Sequence, residues 1–303
     1  MGEGIGYGKV ILFNEHFVVY GLPAIASAIG NKTVARVKPS PSGLVLLDER
    51  NATPGYKSEK KTQQQESLQN IFRAMNVDGN LEIWLGGDLK AASGVGASAA
   101  SCAAIARAIA DEYGLDYRDE AINRVAYEGE KGYHGTPSGL DNTVATYGGL
   151  VWFQSGEMER LRVPEPVEIV MGNTGVVANT KKAVAGVRER REQNREQYDR
   201  IFGQAHQLVQ QARDDLVNGR WEKVGEHMND NHALLQQIGV SSPELDMLVD
   251  IARREGAYGA KLTGGGLGGY MVALTPGKPL QERVARAIKN QGYDVVSTTI
   301  GVR

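Results

Sequence analysis

With a single cysteine, Cys102, in 303 residues, the chain can form no internal disulfide and offers no Cys-based zinc site. Cys102 falls among alanines, where a buried structural thiol is expected rather than a nucleophile. No apolar run approaches the ~18 residues that cross a bilayer. The N-terminus has no basic region followed by an apolar core, so a cytoplasmic protein without a membrane partner is the expectation. Charge of one sign is lacking too: 34 Lys and Arg against 36 Asp and Glu leave a net charge of −2. That balance gives no general case for nucleic acid or an acidic membrane, so any phosphate site must be local. The phosphate loop G-x-x-x-x-G-K-[ST] and the protein-kinase motifs are missing. His227 and His232 are five apart and off one helical face, which predicts surface histidines rather than metal ligands.

What the chain does have is a glycine loop opening into a small-residue helix, ASGVGASAASCAAIARAIA at Ala92–Ala110. Gly94 and Gly96 permit positive φ and close approach of backbone N–H groups to a bound group. The helix behind them aims its free N–H groups and positive dipole end at the same spot, a junction suited to phosphates. Gly94-Val95-Gly96-Ala97-Ser98-Ala99 also fits the relaxed dinucleotide fingerprint. A seven-residue linker from the preceding strand, and a second helix where a strand should follow, speak against that use.

Around this stretch the chain reads as an α+β pattern. Lys9–Val19 predicts a strand broken by the polar bend Asn14-Glu15-His16, and Ala24–Ile29, Val34–Val37 and Leu44–Leu47 predict short strands. Turns are expected at Gly30-Asn31 and Pro39–Gly43. A polar loop over Asn51–Gln65 leads into a helix with Leu68, Ile71, Phe72 and Met75 inward. Leu81–Leu85 reads as a strand, Ser98 to Tyr113 as a buried helix, and Arg118–Gly132 as another. Glu128 and Glu130 near the end of that last helix oppose its dipole, a small hint of function. His134–Asn142 is a turn-rich polar loop, followed by Thr143–Tyr147 and a strand at Gly149–Phe153. Later come a strand at Val167–Met171, a long helical tract over Thr180–Gly219, helices at Trp221–Ile238 and Pro243–Arg254, and strands at Tyr258–Leu262 and Gly269–Leu274. A helix at Leu280–Gln291 and a strand at Val295–Ile300 close the chain.

Three features converge. Lys9 stands in a glycine-rich N-terminus shortly before Glu15 and His16; alone, such a lysine is commonly solvated. Ser98 lies at the mouth of the glycine loop, where a helix cap is the plain alternative. Glu130 precedes the His134–Asn142 segment with Asp141, where Asx turns would suffice. Together they supply a phosphate cradle, a hydroxyl and carboxylate for Mg²⁺, a base and a cation, the parts that phosphoryl transfer requires.

In order, KVILFNEHFVVYG at Lys9–Gly21, SGVGASAA ending at Ala100, EKGYHGTPSGLDN at Glu130–Asn142 and KLTGGGLGG at Lys261–Gly269 resemble the GHMP small-molecule kinase superfamily, and within it the mevalonate kinase family. The resemblance spans nearly the whole chain. It implies the two-domain α+β GHMP fold, with a ribosomal-protein-S5-domain-2-like domain over residues 1–165 and a ferredoxin-like domain over 166–303. It implies phosphorylation of the primary hydroxyl of mevalonate by ATP with Mg²⁺. Asp141 matches the catalytic base and Lys9 the lysine beside it. Ser98 and Glu130 match the metal ligands, and Ser93, Gly94, Val95, Gly96, Ala97 and Ser98 the loop that wraps the ATP phosphates. Glu15 and His16 match substrate-orienting positions, and Gly264, Gly265 and Gly266 the third glycine motif on the ATP side. Family analogy adds a homodimer. The alternatives are another GHMP enzyme, such as a phosphomevalonate kinase or a mevalonate-pathway decarboxylase, or a silent binding protein of the same fold. The sequence departs from the family at Ala97, where a second serine is usual, at Asn14 in place of a glycine, at Tyr7-Gly8 in place of Pro-Gly, and at Leu267 amid the last glycines.

Overall fold

The computed structural model describes residues 1–92, 94–178 and 180–301. Ten strands, ten α-helices and one short 3₁₀-helix (Phe17–Tyr20) lie among them, in two compact units. Among the described residues, the first comprises Met1–Lys9 and Ala28–Gly148, the second Val10–Ser27 and residues 149–301. A division by chain order at residue 165 groups the residues differently, because Val10–Ser27, Gly149 and the residues after it pack together. Strands β1 (Gly2–Phe13) and β2 (Ala24–Pro39) run through both groupings.

In the first unit, the later part of β2 pairs antiparallel with β4 (Leu81–Gly87), and β3 (Val45–Asp48) pairs parallel to β4. Leu81, Ile83 and Leu85 alternate on β4 and are buried with Ala35 and Val37, as the two-residue period of a half-covered sheet requires. Helix α1 (Tyr56–Glu59) is a single turn before α2 (Lys61–Met75), inside the segment expected as a loop. Helices α2, α3 (Ala97–Glu112), α4 (Asp119–His134) and α5 (Leu140–Tyr147) pack together. Leu68, Ile71, Phe72 and Met75 of α2 lie in one core with Cys102, Ile105 and Ile109 of α3 and Ile122, Val125 and Ala126 of α4.

The glycines at the start of β1 have a steric cause. A Cβ on Gly2, Gly4 or Gly6 would lie 2.2, 2.3 or 2.0 Å from the carbonyl oxygens of Ala108, Ala104 and Ala100. Two residues of strand advance about 6.6 Å and four of helix about 6 Å, so alternate glycines keep step with every fourth alanine. The strand rests directly on the backbone of α3.

Two expectations change here. Gly30-Asn31 is no turn, because β2 is continuous over Ala24–Pro39. Its ladders with β4 and with β5 (Leu150–Gln154) override the local turn preference. Asp141 is in no loop but in the first turn of α5, behind Gly139 at φ +90°.

In the second unit, the early part of β2 pairs with β5, and β5 with β6 (Glu157–Leu161). The sequence reading missed β6. Its turn, Ser155-Gly156, has positive φ at both residues, the primed geometry that suits a two-residue hairpin. Strand β10 (Asp294–Ile300) pairs with β7 (Val167–Asn173), β7 with β9 (Tyr270–Leu274), and β9 with β8 (Gly259–Thr263), all antiparallel. The long helical tract divides at Asn194 into α6 (Thr180–Gln193) and α7 (Arg195–Val217). Helices α8 (Trp221–Gln237), α9 (Pro243–Arg254) and α10 (Lys278–Asn290) follow. Ser242 caps α9 through its hydroxyl, which accepts from the Leu245 N–H, with Pro243 at the first helical position. No helix among the described residues is long and apolar enough to cross a membrane.

Candidate active site

In the first unit, Gly96 at φ +69° turns the loop into α3. The Lys9 N–H donates to the Val95 carbonyl at 2.9 Å, and the lysine stem lies over Gly96, whose Cβ would meet Lys9 Cγ at 2.6 Å. Lys9 is buried, and its Nζ sits 3.1 Å from Asp141 Oδ1; Asp141 keeps 30% exposure. The buried cation, the half-open carboxylate and the glycine loop thus meet in one place, as the three sequence features require.

Glu130, near the end of α4, is 1% exposed, and its Oε1 has no hydrogen-bond partner among the described residues. Burial above all, and then the negative Asp141, push its pKa up to about 8, while Ser98 and Lys9 act against the shift. His134 Nε2 lies 3.5 Å from Ser98 Oγ and 3.6 Å from Glu130 Oε2. Burial lowers the His134 pKa, which favours the neutral imidazole. An orphaned carboxylate oxygen beside a hydroxyl fits a hard divalent cation. Mg²⁺ takes one or two protein oxygens and fills its other positions with water and phosphate. Among the described residues no group of three His, Cys, Asp or Glu could hold a metal alone.

Ala97 is buried, and its carbonyl accepts from Ser101 Oγ at 2.8 Å and from Arg50 Nη1 at 3.3 Å. Arg50, which the sequence reading missed, is itself buried. It pairs with Asp48 at 2.6 Å and donates to Ser101 Oγ at 2.6 Å, clamping the first turn of α3 from behind. Nothing periodic or motif-like marks it in the sequence. Gly94 and Val95 lie in the expected loop and Ser98 in the first turn of α3; Ser93 is outside the described residues. Cys102 is buried against Ser67, and burial pushes its thiol pKa up, as a structural role predicts.

The second unit holds Glu15 and His16. Asn14 and His16 both adopt positive φ, +68° and +65°, which explains why glycine suits position 14 and how asparagine replaces it. The Asn14 amide donates to the carbonyls of Pro23 and Ala205, and its oxygen accepts from Asn231. Glu15 is ion-paired with the fully buried Lys261. His16 is buried, its Nε2 is 3.0 Å from the Gly265 carbonyl, and burial lowers its pKa to about 4. Gly264 and Gly266 have positive φ, and a Cβ on Gly265 or Gly266 would strike Thr180 Oγ1 or the Val240 carbonyl. Leu267 takes φ +53° and donates its N–H to Val240, a left-handed leucine that sterics disfavour. His232 is no surface residue: it is buried, bonded to Asp246 and accepting from the Leu262 N–H.

A glycine loop opening into a helix, a buried lysine and a carboxylate beside it are parts that phosphoryl transfer requires. Residues 64–149 match the family model of the GHMP kinase N-terminal domain and residues 212–294 that of the GHMP kinase C-terminal domain. The chain belongs to the GHMP kinase family. It is 35% identical to the mevalonate kinase of Pyrococcus abyssi over 96% of this chain and 93% of that one. It is 36% identical to that of Pyrococcus horikoshii over 94% and 91%. The crystal structure of L. major mevalonate kinase in complex with R-mevalonate superposes with a TM-score of 0.94 at 38% identity, covering 99% of this chain and 96% of that one. The similarity thus falls on the mevalonate kinases.

Proposed function

We propose that the protein is an ATP- and Mg²⁺-dependent mevalonate kinase, which converts mevalonate to 5-phosphomevalonate in isoprenoid precursor synthesis. The observation that carries this is the buried Lys9 ammonium 3.1 Å from Asp141 beside the glycine loop. Asp141 takes the proton of the primary hydroxyl, and Lys9 lowers that hydroxyl's pKa and steadies the charge that develops in the transition state. Ser93 to Ser98 hold the ATP phosphates at the positive end of α3, with Gly264, Gly265 and Gly266 as the third glycine motif of the ATP site. Ser98 and Glu130 would hold Mg²⁺, Glu130 as the carboxylate, and the metal would neutralise phosphate charge. Glu15 and His16 orient mevalonate. The enzyme works as a cytoplasmic homodimer, without nucleic-acid or membrane partners. An ADP-release assay with mevalonate, with and without Mg²⁺, tests the reading. Turnover that needs both is expected, and no mevalonate-dependent ADP would sink it.

A further inference from the structure

The segment KLTGGG does more than its glycines imply. Lys261 and Thr263 lie two apart on β8, and Gly265 follows at the next alternate position. Lys261 Nζ binds Glu15 and the Leu262 carbonyl. Thr263 Oγ1 accepts from the Ile11 N–H and donates to the Ile11 carbonyl, both at 3.0 Å. The Gly265 carbonyl meets His16 Nε2. Three alternate residues therefore fasten the segment that carries both substrate-side residues.

The last of these bonds has a chemical direction. A carbonyl only accepts, so Nε2 bears the proton and the neutral ring's Nδ1 is an acceptor. Nδ1 is buried and without a hydrogen-bond partner among the described residues. A buried acceptor left empty is unfavourable, and a donor is what satisfies it. Mevalonate offers two donors, its hydroxyls, and a carboxylate that cannot donate. The primary hydroxyl is the phosphoryl acceptor.

We infer that the Gly265 carbonyl fixes the hydrogen-bonding sense of His16, so that its Nδ1 accepts from the tertiary C3 hydroxyl of the substrate, with Lys261 as the positioning residue that holds Glu15 beside it. This rests on the mevalonate reading above. The carboxylate must then find its partner elsewhere.

The test is a long-range ¹H–¹⁵N correlation spectrum of the ¹⁵N-labelled full chain at neutral pH, with His16 identified by its loss in His16→Asn. An unprotonated Nδ1 is expected, shifting when mevalonate is added and not with 5-hydroxy-3-methylpentanoate, which lacks the C3 hydroxyl. A proton on Nδ1, or equal shifts with both compounds, overturns the inference. In kinetics, Lys261→Met raises KM for mevalonate by about tenfold and leaves KM for ATP unchanged. If that variant does not fold, Lys261→Gln, which keeps a neutral donor toward Glu15, carries the same expectation. An unchanged KM for mevalonate in the folded protein overturns the role of Lys261. A chain that binds no mevalonate at all refutes the functional reading instead, and its ligand-free spectrum still decides the tautomer.

Discussion

Replacing Gly96 by alanine puts one methyl group between the phosphate loop and Lys9. Gly96 sits at φ +69°, so the substitution meets a left-handed backbone penalty of about 1 kcal/mol. The new carbon would lie 2.6 Å from Lys9 Cγ, whereas carbons rest about 3.5–4.0 Å apart. The lysine stem must withdraw by about 1 Å. Starting from 3.1 Å, the ammonium then stands at about 4 Å from Asp141, where an ion pair in partly wet surroundings is much weaker. Misplacing a group at the reacting centre by about 1 Å can lower the rate 10²-fold. Gly96→Ala should therefore lower kcat by about 30- to 100-fold, with only a few degrees lost in Tm. Steady-state kinetics and a thermal melt on the same preparation separate the two effects. A folded variant with kcat within about twofold of the parent would show that Lys9 is not held by this contact, or that it does not act in the reaction.

Asp141→Asn removes the proposed base but keeps the shape, so kcat should fall by about 10²–10⁴ while the melt stays the same; full turnover would refute the assignment. At position 14, glycine keeps the backbone conformation but strands the carbonyls of Pro23 and Ala205 and the Asn231 amide, a loss of roughly 2–3 kcal/mol. Alanine there should lose about 1 kcal/mol more, and equal losses in urea unfolding would contradict the left-handed conformation. His16 and His232 both have their pKa lowered to about 4, chiefly by burial, so the unfolded chain binds the extra protons below about 6.5. Their contribution is whole above that pH and is lost as pH falls toward 4, each removing about 2 kcal/mol between pH 7 and 5. Urea midpoints should drop over that interval, and His16→Asn should drop less; parallel pH profiles for the two proteins would refute this.

How much of the protein was legible in its sequence depended on whether the signal was local. Element types, the break before α9 at Ser242-Pro243 and the buried stripe of α3 follow from periodicity and capping chemistry. So does the loop-to-helix junction at Gly94–Ser98. The order of four motifs also carried the family, since each needs a fixed local geometry. Where a nonlocal ladder competes with a local preference, as at Gly30-Asn31 in β2, the sequence misleads.

Tertiary structure decided the rest. Glu130 lies 11 residues before Asp141, and only folding turns it from an unfavourable charge at a helix end into a buried carboxylate with a raised pKa beside Ser98. Arg50 carries no motif and Lys261 only opens the last glycine motif, and their roles arise from contacts 47 and 246 residues away along the chain, with Ala97 and Glu15. The same holds for His16, where the sequence names the residue but only the Gly265 carbonyl fixes which nitrogen holds the proton. Local sequence sets backbone conformation. Burial and partner geometry, which set charge and tautomer, exist only once distant segments are packed.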